Sequence, residues 1–173
     1  MKIIFTFLVL FSLFSFDGNA QKCQVKEDPF TNEKVVSFNW KHGIVFYEYK
    51  GDEIKFGIRC NYNGEKNVVM EKGQKAFFKL DNNETMELLT CVDANPETQI
   101  RASQYAASVF TAYTFIFCLT KDELSKLAKY KMLAFRYPDT NGEYLDIILK
   151  GKKNKYAKAV LEGGQCILSN VQD

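Results

Sequence analysis

The sequence predicts an α+β domain, mainly antiparallel β and sandwich-like, with one short helix between strands and one C-terminal helix. Three observations carry that reading. Residues 54–62 alternate strictly: Ile54, Phe56, Ile58 and Cys60 share one face, and Lys55, Gly57, Arg59 and Asn61 the other, as a half-buried strand requires. Short apolar runs recur along the chain with turn residues between them, the punctuation of hairpins. Aromatic residues make up 14% of the chain, with 15 Phe and 9 Tyr, a composition that favours strands.

In chain order, Lys2 precedes an apolar run over 3–16, roughly 14 residues and short of the ~20 a spanning helix needs. Asp17-Gly18-Asn19-Ala20 then leads to Gln21. A charged start, an apolar centre and a small residue before the cut describe a signal peptide over 1–20. Residues 21–173 remain as a single β-rich globular domain of ordinary size. The expected location is therefore outside the cytosol, periplasmic or secreted, with no membrane span after cleavage. A lipid anchor on Cys23 is disfavoured, because Asn19-Ala20-Gln21-Lys22 lacks the small residues such processing prefers.

After a turn around Asp28-Pro29, residues 35–40 read as a strand broken at His42-Gly43. Strands follow over 44–49 and 54–62, joined by a hairpin at Lys50-Gly51-Asp52-Glu53. Asn63-Gly64 turns the chain, a short apolar triplet occupies 68–70, and 74–80 pairs with 85–92 across Asp81-Asn82-Asn83-Glu84. That acidic tip lacks the ligand alternation, the glycine and the distal glutamate of a calcium loop, so it is a hairpin turn. Over 93–110 (DANPETQIRASQYAASVF) the apolar pattern fades. The expectation there is an ordered loop, or a turn of helix around 103–109. Long loops are uncommon and enriched for function, which makes Arg101 and Tyr105 candidate binding residues.

A strand over 111–119 leads to Thr120 and Glu123, spaced as a capping box. Leu124, Leu127 and Ala128 then form one apolar stripe. This helix either bridges two sheets or caps one. A further strand, the turn Asp139-Thr140-Asn141-Gly142 and another strand follow. Tyr156, Ala159 and Val160 recur at helical spacing over 152–162, with Gly163-Gly164 expected to stop or interrupt that helix. Residues 165–168 carry no assignable pattern.

The chemistry is sparse. Net charge is +2, from 23 basic and 21 acidic residues, without the concentrated basic face that nucleic acid requires. Five cysteines (Cys23, Cys60, Cys91, Cys118, Cys166) leave one thiol over, and one disulfide plus buried free thiols is expected, its pairing open. There is no C-x-x-C, and the one histidine, His42, lies near no cysteine in sequence. No metal site and no cofactor is therefore expected. No G-x-S-x-G, H-E-x-x-H or phosphate-binding glycine loop occurs. Trp40 and Tyr47, with Tyr49 and Tyr62, either fill the core or form an exposed stacking surface for a sugar or peptide. Lys150, Lys152, Lys153, Lys155 and Lys158 form either a solvated helix face or a contact for an anionic polymer or lipid headgroup.

Three stretches carry a family resemblance: Cys23 followed by Asp28-Pro29-Phe30-Thr31, the hairpin FFKLDNNETMELLT, and FCLTKDELSKLAKYKMLAFRY. On these the chain resembles small exported proteins of uncharacterised function from the Bacteroidota. The resemblance implies an envelope or secreted setting and a β-rich fold, and supplies no activity, ligand or catalytic residue. Where such proteins tend to be glycine-rich, 93–110 here is rich in alanine and serine. The expected function is an exported non-catalytic domain that binds or interacts at the cell envelope, its partner an envelope protein or polysaccharide. The alternatives are an inhibitor or immunity-type protein that blocks its partner with the 93–110 loop, and a hydrolase or thiol enzyme whose site assembles from scattered residues.

Overall fold

The computed structural model describes residues 23–102 and 107–171, so the expected signal peptide and Tyr105 lie outside the described residues. In chain order the strands are β1 (Gln24–Glu27), β2 (Lys34–Trp40), β3 (Val45–Lys50), β4 (Glu53–Asn63), β5 (Lys75–Leu80), β6 (Thr85–Leu89), β7 (Glu97–Ala102) and β8 (Ala107–Leu119). Helix α1 (Lys121–Lys129), β9 (Met132–Pro138), β10 (Tyr144–Ile148), a 3-10 turn (Gly151–Lys153) and helix α2 (Asn154–Val171) complete the chain. All the strand pairings between these elements are antiparallel. One sheet has the order β1-β2-β3-β4-β8-β7 and the other β10-β9-β5-β6. This is the mainly β, sandwich-like architecture with two helices that the alternation and turns predict.

The strand register decides where the core lies. Phe38 stands opposite Tyr47, Tyr47 opposite Phe56, and Phe56 opposite Phe117, so one row of rings crosses four strands on one face. Ring centroids along it are 6.5, 4.7 and 5.8 Å apart. The four-stranded sheet covers the β4–β8 half of this row: Phe78 sits 5.8 Å from Phe56 and 5.5 Å from Phe117, and Phe135 stacks on Phe78 at 4.9 Å. Such ring pairs contribute about 0.5–1.5 kcal/mol each beyond the area they bury. Helix α2 covers the β2–β3 half, where the buried Tyr47 hydroxyl donates to the Val160 carbonyl at 3.1 Å. One sheet face thus carries two covers.

Helix α1 forms as its cap dictates. The Thr120 side chain accepts from the Glu123 N–H, the Glu123 carboxylate accepts from the Thr120 N–H, and Leu124, Leu127 and Ala128 turn inward. Of the two roles open to it, it takes the first: it carries the chain from β8 in one sheet to β9 in the other.

Three expectations are corrected. Within 93–110 the described residues are largely strand rather than loop or helix. Residues 97–102 and 107–110 are paired strands, Thr98 opposite Thr111 and Ile100 opposite Val109. β7 is an edge strand with five of its six residues exposed, so neither face imposes an apolar alternation and the strand signal is missing. The last helix does not end at Gly163-Gly164 but runs through both to Val171. A Cβ at Gly163 would stand 2.4 Å from the Tyr47 ring, and one at Gly164 3.0 Å from the Ala128 backbone. Glycine is there for close approach to β3 and α1, not for termination. Finally, two disulfides form rather than one: Cys23–Cys166 and Cys91–Cys118, with Cα separations of 5.5 and 5.7 Å. Cys60 alone stays free, and buried.

Candidate functional site

The two covers of the six-stranded sheet do not close over it everywhere. Between the start of α2 and the β9–β10 side of the small sheet runs a seam, floored by Val45 of β3 and Ile58 of β4. Met132 and Phe135 of β9, Leu149 after β10 and Tyr156 of α2 wall it. The chain itself closes one end, because β10 leads directly through the 3-10 turn into α2. The resulting cleft has a volume of about 640 Å3, within the roughly 300–1,000 Å3 of ligand pockets.

The mouth of the cleft follows from unequal strand lengths. β3 begins at Val45, opposite Ile58, whereas β4 continues to Asn63 with β8 as its ladder partner. The Arg59 N–H still reaches the Ile44 carbonyl at 2.9 Å. Strand alternation turns the Asn61 N–H and C=O to that same side, past the start of β3. Around this edge the cleft extends to Arg59, Asn61, Gln99 and Arg101, and the β2–β3 turn adds Lys41 and His42.

That turn has an unusual backbone. Lys41 (φ 46°), His42 (φ 55°) and Gly43 (φ 86°) are consecutive left-handed residues. The Gly43 N–H donates to the Asn39 side chain at 2.8 Å, and the Ile44 N–H to the Trp40 carbonyl at 3.2 Å. A non-glycine residue in this region costs roughly 1–2 kcal/mol. Two such residues side by side place strain at the cleft mouth.

The electrostatics are one-sided. The lining includes Lys41, Arg59, Arg101 and Lys153 and, among the described residues, no carboxylate. Arg59 is paired with Glu97. Lys41 lies over the Trp40 ring at 5.1 Å and Arg101 over the Phe110 ring at 4.7 Å, cation–π contacts that leave N–H groups available for a ligand. Inside, burial pushes the Cys60 thiol and the Tyr137 hydroxyl well up, so both stay protonated at neutral pH. The interior is therefore uncharged and the mouth cationic.

Of the residues nominated from sequence, Arg101 lies on this mouth, and Lys153 of the basic run joins it. Lys155 and Lys158 line a different furrow, between α2 and the β1–β2 edge. The exposed aromatic surface is not there: Trp40, Tyr47 and Tyr62 are 3%, 1% and 3% exposed. Trp40 meets Tyr156 edge-on at 5.2 Å and so supports a cleft wall from behind. His42 and Cys60 line the same cleft, but no hydrogen bond joins them. His42 is exposed on its turn while Cys60 is buried. Among the described residues no three His, Cys, Asp or Glu side chains gather as a metal site, and no helix is long and apolar enough to cross a membrane. The floor residues were missed because each reads from sequence as ordinary core.

No known protein family, curated protein or solved structure matches the chain.

Proposed function

We propose that the mature chain is an exported, non-catalytic binding domain acting at the cell envelope, with the seam cleft as its binding site. The observation that carries this reading is the make-up of the cleft: an apolar floor and a cationic mouth with no hydrogen-bonded nucleophile and base. A thiol enzyme would need Cys60 as thiolate, and burial holds it protonated. Export is supported by the leader-like residues 1–20 and by two disulfides, which persist in oxidising compartments. The Cys23 sulfur is engaged with Cys166, and a sulfur in a disulfide cannot carry a thioether lipid.

The test is native mass spectrometry of the chain purified, without denaturation, from the compartment to which its own leader sends it. The Ile147→Trp variant, which fills the cleft from the edge strand, is the comparison. The expected result is an exported, doubly disulfide-bonded protein carrying an adduct that the variant loses. A chain retained in the cytosol with reduced cysteines would overturn the export reading. An adduct equally present on Ile147→Trp would overturn the cleft as its site.

A further inference from the structure

The proposed binding role leaves the ligand open, and the cleft constrains its chemistry. The interior presents mainly Val45, Ile58, Met132, Phe135 and Leu149, side chains with no donor or acceptor to offer, and only a few polar groups, the Cys60 thiol and the Tyr137 and Tyr156 hydroxyls among them. A sugar buried there would give up the hydrogen bonds of most of its hydroxyls to water, with too few partners to replace them. An aliphatic chain loses nothing and gains the apolar contact. Polysaccharide, one of the partners expected from sequence, therefore does not suit this interior.

The mouth selects charge in the same way. Lys41, Arg101 and Lys153 come from three separate elements, the β2–β3 turn, β7 and the 3-10 turn, and all line this one cleft. Among the described residues none of the three has a carboxylate partner, whereas Arg59 beside them is already paired with Glu97. Charges gathered without counter-charges repel one another and are relieved by an anion. The left-handed turn is a second, independent sign. Lys41 and His42 keep an unfavourable backbone at this mouth, where strain of that kind tends to accompany ligand contacts.

We infer that the seam cleft binds an amphipathic anion, its aliphatic tail between α2 and β9–β10 and its carboxylate or phosphate head at Lys41, Arg101 and Lys153. The inference rests on the seam being the binding site and adds the ligand's chemistry. A free fatty acid and a lysophospholipid share that chemistry, and they differ at the head and in the bulk behind it.

The experiment is calorimetric titration of the disulfide-intact mature protein with four probes: palmitate, lysophosphatidylglycerol, inorganic phosphate and octyl glucoside. Tight binding of palmitate alone assigns a fatty acid, and tighter binding of lysophosphatidylglycerol assigns a lipid headgroup. Arg101→Gln and Lys153→Gln, both exposed and outside the core, should each weaken the favoured amphiphile about tenfold while leaving thermal unfolding unchanged. Ile147→Trp should remove binding of the tail. Octyl glucoside binding as tightly as the anions, or Gln variants that bind like the parent, would overturn the anionic head. Inorganic phosphate binding as tightly as either amphiphile would overturn the tail. A neutral adduct found on the exported protein would defeat this inference and leave the binding role standing, whereas adducts insensitive to Ile147→Trp would remove both.

Discussion

Gly163 of α2 faces the Tyr47 ring of β3 so closely that a single added carbon would stand 2.4 Å from ring Cδ2 and 2.7 Å from the Phe38 ring. Both rings are buried in the row that crosses the large sheet, and neither has open space to move into. Alanine is favoured over glycine in a helix by about 1 kcal/mol, and overpacking a core costs roughly 1–3 kcal/mol. With both neighbours fixed, overpacking wins.

Gly163→Ala should therefore lower stability by up to about 2 kcal/mol in urea titration. Gly57 provides the contrast. A Cβ there would meet the Phe46 ring at 2.0 Å, but Phe46 lies on the uncovered face of the sheet and can swing away. Gly57→Ala should cost less than Gly163→Ala. The reverse order would contradict the packing of α2 on β3.

The two disulfides should differ in worth. Cys23–Cys166 spans 143 residues and ties the start of β1 to α2, whereas Cys91–Cys118 spans 27. Loop entropy alone assigns about 5 kcal/mol to the first and about 3.5 kcal/mol to the second. Measured against a total stability of roughly 5–15 kcal/mol, losing either is a large change. Paired Cys→Ser variants, compared by denaturant midpoint, should show the long-range bridge as the larger loss, and Cys60→Ala should leave both bridges in place by peptide mapping.

Acid should weaken the β1–β2 corner. Hydrogen bonds from the Lys50 ammonium and the Phe30 N–H hold the Asp28 carboxyl down at about 2. A carboxylate lowered in the folded state contributes stability that is full above its unfolded value, near 4, and lost as pH falls through its folded value. The loss attributable to Asp28 should thus fall between about pH 4 and pH 2. Lys50→Met should flatten that part of the stability–pH curve by lowering stability at neutral pH while leaving it little changed below about pH 2. An unaltered curve would show that the pair does not form in solution.

Relieving the β2–β3 turn should separate stability from binding. Replacing Lys41 by glycine removes a left-handed penalty of about 1–2 kcal/mol and adds roughly 0.5–1 kcal/mol of unfolded-chain entropy. Lys41→Gly should therefore be neutral to about 1 kcal/mol more stable by thermal unfolding. The same variant should bind the amphiphile less tightly, since it deletes a cation from the mouth. A marked loss of stability would mean that the Lys41 side chain, over Trp40, matters more than its backbone.

Much of the fold was legible because it is written in local patterns. The β4 alternation, the Thr120–Glu123 box and the Asp139–Gly142 turn act within a few residues, and each appears where the sequence puts it. β7 was not legible, since an edge strand exposed on both faces carries no periodic signal. Gly163-Gly164 misled for a related reason: glycine ends helices through its backbone freedom but also permits close packing, and only the neighbour decides which applies. Of the candidate site, Arg101 and Lys153 were nominated from sequence, without any reason to place them together.

By itself the sequence determined the class of fold and the cap and stripe of α1, consequences of side chains interacting with their own stretch of backbone. Only the tertiary structure decided the rest. It placed two covers on one sheet face, left a seam between them, brought three cations from distant elements to its mouth, and paired four of the five cysteines. Those relations depend on which surfaces pack over separations as long as 143 residues, and no local spacing in a single chain encodes them.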